Sequence, residues 1–274
     1  CFYESTMDET ARARRALATD LRLAIERGEL SLHYQVQTSV ATGATCGYEA
    51  LLRWTHPVHG MVPPVEFIPI AEENGSILPI GEWVLRTACR QAASWDNGHK
   101  IAVNLSPVQF AHADLAKLVH QILIETGLSP KRLELELTES TIVADKVRTL
   151  HVLRQIKALG VTIAIDDFGT GYSSLDTLRS FPFDKIKLDR SFMADVERSP
   201  QAKAIIRAVL TLGRSLDIPV LAEGVETHVQ LTILQVEGCN EAQGYCLGRP
   251  KPIDQILLIA GLDPQDGPPA LEGP

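Results

Sequence analysis

Short apolar or β-branched runs of strand length recur along the chain and alternate with longer stretches of helical periodicity. Strand-like runs stand at IAVNLS (101–106), RLELELTES (132–140), VTIAIDD (161–167), DKIKLDR (184–190), IPVLAEGVE (218–226) and EAQGYCLG (241–248). Helical patterns fill most of the gaps, at 113–127, 143–160, 202–216 and 227–238, and several close on glycine, as helix C-termini prefer. SLHYQVQ (31–37) and GYEALLRW (47–54) bring the strands to eight. Strands alternating with helices imply an α/β fold with a mostly parallel sheet, and eight such units at this length predict a (β/α)8 barrel. An open doubly wound sheet is the alternative. It is disfavoured because no G-x-G-x-x-G follows an early strand, and GTGYSS (169–174) carries only the first two glycines of that pattern.

The two ends differ from the middle. Residues 7–28 set Leu17, Leu21, Ala24 and Ile25 among many charges, an amphipathic helix with a basic start. Residues 261–274 are rich in Pro and Gly. The expected division is an N-terminal helix over 1–28, open to reading as a lid, a linker from a preceding domain or an oligomer contact, the barrel over 29–258 and a flexible tail over 259–274.

Within the strands the polar residues keep to one parity, and alternate side chains face opposite sides. Glu134, Glu136 and Thr138 share a face against Leu133, Leu135 and Leu137. Thr162, Ala164 and Asp166 oppose Ile163 and Ile165, while Lys185, Lys187 and Asp189 oppose Ile186 and Leu188. Ala102 pairs with Asn104, and Leu221 with Glu223. One such strand alone reads as half-exposed antiparallel sheet. Helices between parallel strands would cover the outer, apolar face, so the polar set belongs to the barrel interior. Buried carboxylates need partners there. Asn104, Glu136, Asp166 and Glu223 lie at C-terminal strand ends, the rim on which barrel active sites are built.

Composition narrows the chemistry. The 274 residues carry 26 basic against 34 acidic side chains, a net charge of −8, which argues against a nucleic-acid polymer held by phosphate neutralisation. A small anionic ligand remains compatible, because a bound cation reverses the local charge. No apolar run is long enough to span a bilayer, so no membrane contact is expected of this stretch. The five scattered cysteines form no C-x-x-C pair and suit a reducing cytosol, each as a packing residue. The eight histidines form no metal-ligand pair and read as surface or loop residues. Converging carboxylates repel unless cations hold them, and Lys187 cannot neutralise them all. Oxygen-only donors point to Mg²⁺ or Mn²⁺ rather than zinc. Two chemistries fit: hydrolysis of a phosphodiester by metal-activated water, and enolate formation, for which Lys185-Ile-Lys187 imitates a K-x-K base pair.

An ordered series of motifs then resembles one family. YEALLRW (48–54), HP..G...P.EFIPIAE (56–72), NLSP.QF (104–110), ELTES (136–140), DDFGTGYSSL (166–175), KIKLDRSF (185–192), AEGVET (222–227) and QGY..GRP (243–250) are similar to the EAL domain, the cyclic di-GMP phosphodiesterase. The resemblance covers roughly residues 20–255. It implies a TIM barrel variant with its first strand antiparallel, and hydrolysis of cyclic di-GMP to linear pGpG with two Mg²⁺ or Mn²⁺ ions. Glu49, Asn104, Glu136 and Asp166 are implied as ligands of one ion. Asp167 and Glu223 are implied for the second, with Asp166 bridging. Lys187 would orient or polarise the attacking water, Glu223 is a second candidate for that task, and Gln243 would support the water and metal network. Arg53 resembles a phosphate contact, Leu52 and Pro250 border the guanine pockets, and Asp189 sits beside the substrate. Glu139 resembles the glutamate that anchors the loop after Asp167, and that loop shapes a homodimer contact in the family. Asp167 has the outward parity, so its reach to the site is expected to come from the end of the strand and the glycines behind it.

Val36, Cys246 and Leu247 depart from the family pattern without touching an implied ligand. Glu134 and Glu226 read as structural, and Tyr48, Trp54, Trp83 and Trp95 as packing. The first residues resemble the end of a GGDEF domain, which implies an excised piece of a larger cytoplasmic signalling protein whose parent is compatible with membrane attachment. A catalytically silent cyclic di-GMP receptor is the competing reading, and an enolase-like enzyme a third. Silent members usually lack metal or lysine positions that are present here.

Overall fold

The computed structural model describes residues 12, 14–112, 114–169 and 175–259. Strands β1 (Leu30–Ser39) and β2 (Thr45–His56) form an antiparallel hairpin, paired from Leu30 opposite Trp54 to Thr38 opposite Thr45. A tight turn forces that antiparallel start: Ser39 N–H donates to Ala44 O, and Gly43 takes φ 70°. Short β3 (Gly60–Val62) folds back on β2. Then follow β4 (Lys100–Asn104), β5 (Leu133–Thr138), β6 (Thr162–Phe168), β7 (Lys185–Leu188), β8 (Val220–Ala222) and β9 (Glu241–Ala242). From β2 through β4 to β9 each neighbour is parallel, and β9 closes on β1 antiparallel through Thr38–Ala242 and Ser39–Glu241. The result is a closed eight-stranded barrel with β1 running against the rest, as the sequence predicts.

The apolar strand faces point outward to the helices. Leu135, Ile163, Ile186 and Leu188 are fully buried, as are Ile156 of α7 and Ile206 of α10. The helical ring comprises α1 (residues 14–21), α2 (Pro64–Asn74), α3 (Ile77–Ala93), α4 (Pro107–His112), α5 (Leu115–Thr126), α6 (Glu139–Ala144), α7 (Lys146–Ala158), α8 (Leu175–Ser180), α9 (Ser191–Ala194), α10 (Pro200–Leu216), α11 (His228–Glu237) and α12 (Ile253–Ile259). Six of these, the long α2 and α3 and the short α4, α8, α9 and α12, are absent from the sequence reading. Pro64 starts α2 and Pro69 lies inside it, and prolines mask a helical pattern. The helix expected over 143–160 is broken at Asp145, whose carboxylate accepts from Arg148 N–H and caps α7. The strands expected over 218–226 and 241–248 shrink to three and two residues.

The amphipathic N-terminal segment differs from expectation in the same way. It is helical over 14–21 and runs on through turns to residue 28, while residues 1–11 and 13 lie outside the described residues. Leu17, Leu21 and Ala24 are buried in the core. Arg14 pairs with Glu73 at 2.6 Å, and Asn74 Nδ2 donates to Ala18 O at 3.2 Å. Trp54 Nε1 donates to Glu29 Oε2 at 2.9 Å. His56, read from sequence as a surface or loop residue, is buried in β2 with Nε2 3.3 Å from Asp20 Oδ2. The tail beyond residue 259 lies outside the described residues.

Candidate active site

Each polar residue of the rim is delivered by its own strand. Gln35 comes from β1, Glu49 from β2, Asn104 from β4, Glu136 from β5, Asp166 from β6 and Lys187 from β7. Glu223 and Gln243 follow β8 and β9, and the ladder continues through them: Glu223 N–H donates to Leu188 O and Gln243 N–H to Ala222 O. Parity therefore converges eight side chains on one volume.

Lys187 is the hub, with no solvent exposure at all. Its Nζ lies 2.6 Å from Glu136 Oε2, 2.8 Å from Glu223 Oε1, 3.4 Å from Asp166 Oδ1 and 3.8 Å from Glu49 Oε2. Burial would lower the ammonium pKa, but Asp166, Glu136, Glu223 and Glu49 together hold it well above the usual lysine value. Glu136 is pushed far up by burial against the pull of Lys187, with Glu49, Asp166 and Glu134 adding to the rise. Burial also lifts Glu223, to about 7. Burial pushes Glu49 the same way, but Lys187 and hydrogen bonds from Gln243 and Asn104 outweigh it and lower its pKa. Those bonds, Asn104 Nδ2 to Glu49 Oε1 and Gln243 Nε2 to Glu49 Oε2, are both 2.6 Å. Gln243 Nε2 also reaches Gln35 Oε1 at 3.1 Å, and Gln35 Nε2 donates to Gly248 O at 3.0 Å.

Asp167 reaches the site by a different device from the one expected. The strand does not end there, since β6 runs on to Phe168. Instead the pairing with β7 jumps between Ile165 and Phe168, a bulge, and Asp167 itself takes φ 54°. A positive φ at a non-glycine residue is strained, and Asp tolerates it better than most. Its N–H donates to Asp166 Oδ1 at 2.9 Å, and burial with the charges of Asp166 and Asp189 raises its pKa. Oxygens of Asp166, Asp167 and Glu223 all lie within 4.8 Å of one another. Behind them Gly169 has φ 96°, and a Cβ there would meet Phe192 at 2.8 Å.

A cavity of about 580 Å³ opens over this cluster, and a second of about 400 Å³ adjoins it, both lined by Leu51, Pro64 and Asn104. Arg53 and Leu52 line the second. Asp189 borders the first, while its Oδ1 accepts from Ser191 N–H at 3.0 Å. Four expected residues line neither cavity: Lys187 and Glu136 are buried beneath the cluster, while Pro250 and Glu139 stand apart from it. Glu139 is buried at the start of α6, and the loop it was expected to anchor, residues 170–174, lies outside the described residues. Sequence reading missed Gln35, although the alternation of Gln35 and Gln37 on β1 signalled it. It missed Tyr245, which sits outside any strand and has no periodic signal. Glu226, read as structural, also borders the cavity.

All donors in the cluster are oxygens, and two buried ones, Glu136 Oε1 and Gln243 Oε1, have no hydrogen-bond partner among the described residues. That donor set fits a hard divalent cation. Fold and rim together define a (β/α)8 barrel with a lysine-centred carboxylate site. The chain belongs to the EAL domain family, whose profile matches residues 18–250. It is 58% identical over 257 residues to an uncharacterised signalling protein of Caulobacter vibrioides, covering 94% of this chain and 32% of that one. It is 48% identical over 261 residues to the bifunctional diguanylate cyclase/cyclic di-GMP phosphodiesterase MucR of Pseudomonas aeruginosa, covering 94% and 38%. The structure of the MucR phosphodiesterase in its c-di-GMP complex matches with a TM-score of 0.85 at 48% identity, over 88% of this chain and 100% of that one. The chain thus spans about a third of the length of the curated relatives it matches.

Proposed function

We propose that this chain hydrolyses one 3′–5′ phosphodiester of cyclic di-GMP to give linear pGpG, using Mg²⁺ or Mn²⁺. The observation that carries the reading is the convergence of Asp166, Asp167 and Glu223 within 4.8 Å beside a buried lysine. Asp166, Asp167 and Glu223 would hold one ion, and Glu49, Asn104 and Glu136, with Asp166 shared, a second. Cations held by these residues would supply Lewis acidity and would lower the pKa of water to make it nucleophilic at neutral pH. Lys187 keeps its proton at Nζ, held between Glu136 and Glu223, and so presents a fixed positive charge where negative charge develops. Gln243 and Asn104 donate to opposite oxygens of Glu49 and fix its orientation. Arg53, in the adjoining cleft, suits a phosphate oxygen, and that cleft accommodates the far half of a dinucleotide. The similarity to MucR supports cyclic di-GMP as the substrate.

Around this core, the proposal extends to a cytoplasmic homodimer that meets through the loop after Asp167, with a GGDEF or sensor domain preceding residues 1–28. Among the described residues no helix is long and apolar enough to cross a membrane. The test is incubation of the chain with cyclic di-GMP and Mn²⁺ or Mg²⁺, followed by chromatography. The expected result is pGpG that disappears with a chelator and with Glu49→Ala. Binding without turnover would instead make the chain a cyclic di-GMP receptor. Turnover of a carboxylate substrate through an enolate, with none of cyclic di-GMP, would overturn both.

A further inference from the structure

A second charged layer lies beneath the site, register for register. Glu134 precedes Glu136 by two residues on β5, Lys185 precedes Lys187 by two on β7, and Glu241 precedes Gln243 by two at β9. Two residues along a strand span roughly 6.6 Å. Lys185 Nζ is 2.8 Å from Glu134 Oε1 and 2.8 Å from Glu241 Oε2. The side chains of Lys185 and Glu134 are only 4% and 1% exposed. Glu134 Oε2 is buried without a hydrogen-bond partner. Two carboxylates thus share one ammonium, leaving a formal excess of one negative charge inside the barrel. Packing alone does not call for this, because apolar residues of similar volume are often as stabilising as buried ion pairs. The field of this layer reaches the site by proximity, since Glu134 and Glu136 share one face of β5 two residues apart with no solvent between the layers to screen them.

We propose that Glu134 is a positioning residue for the site above, the excess negative charge of its layer strengthening the hold of that site on a divalent cation. The inference rests on reading the rim as a Mg²⁺ or Mn²⁺ centre. Mn²⁺ binding is measured by calorimetry and by the electron paramagnetic resonance of free Mn²⁺, with no nucleotide present. In the parent chain Mn²⁺ binds. Glu134→Gln keeps the shape and removes one charge, and losing a unit charge that acts on a divalent ion across a partly screened interior weakens binding by at least about tenfold. The double variant Glu134→Gln/Lys185→Gln removes one charge of each sign, so the layer returns to one net negative charge and affinity recovers to within about threefold of the parent. General loosening of the barrel cannot produce that recovery, because its effects accumulate. Parent affinity in Glu134→Gln, or weaker binding still in the double variant, overturns the inference. No Mn²⁺ binding by the parent overturns the metal reading itself, and this inference with it. Should Glu134→Gln not fold, Glu241→Gln removes the same charge from a partly exposed position; weaker binding supports the proposal and unchanged binding overturns it.

Discussion

Replacing Lys187 by Met tests the electrostatic logic of the site most directly. The substitution keeps much of the volume of a fully buried side chain and removes the cation from among four carboxylates. At an effective dielectric near 20, the contacts at 2.6 and 2.8 Å are each worth about 6 kcal/mol gross. Desolvation of the three groups cancels much of that, and breaking a buried ion pair from one side costs about 3–5 kcal/mol net. Lys187→Met is therefore expected to lose about that much stability in chelator, measured by urea unfolding. On the proposed function, divalent cations offset the repulsion that the lysine had balanced, so the deficit against the parent shrinks at saturating Mn²⁺, while the proposed turnover of cyclic di-GMP stays lost. The reasoning is refuted if the deficit is the same or larger with Mn²⁺, or if the variant is as stable as the parent in chelator.

Asp166→Asn removes a charge from the three-carboxylate cluster; Mn²⁺ affinity in calorimetry should fall by more than the 10–100-fold that supporting residues typically cost. Leu21→Ala empties a site that is 1% exposed and should lower stability by about 3 kcal/mol in thermal or urea unfolding; a loss below about 0.5 kcal/mol would mean that the N-terminal segment does not pack on the barrel. Burial pushes the thiols of Cys89 and Cys239 up to about 12, so in mass-spectrometric alkylation at pH 8 both should stay unlabelled until the protein unfolds, while the half-buried Cys46 and Cys246 react first.

The barrel was legible because each strand buries one apolar face under helices, and that burial writes a period of two into the sequence. Leu133–Leu137 against Glu134–Glu136, and Ile186 and Leu188 against Lys185 and Lys187, carried both the fold class and the inward set. The ordered motifs carried the family, and with it the antiparallel first strand. Helices with internal proline, such as α2, left no usable period, and segments of two or three residues, such as β8 and β9, were read too long. In the site, Asn104, Glu136, Asp166 and Glu223 were readable because parity points them inward, whereas Glu49 came with the family motif. Sequence determined which residues face the interior and that carboxylates outnumber the cations among them. Only the tertiary structure decided how they are shared: Lys187 among four acids, Lys185 between two, and Glu49 held by two amides. Those pairings depend on register between strands far apart in the chain, which no local pattern encodes. The bulge at Asp167 is the same kind of fact. Its outward parity is plain in the sequence, but the left-handed turn that brings its carboxylate to the site is set by the mismatch between β6 and β7.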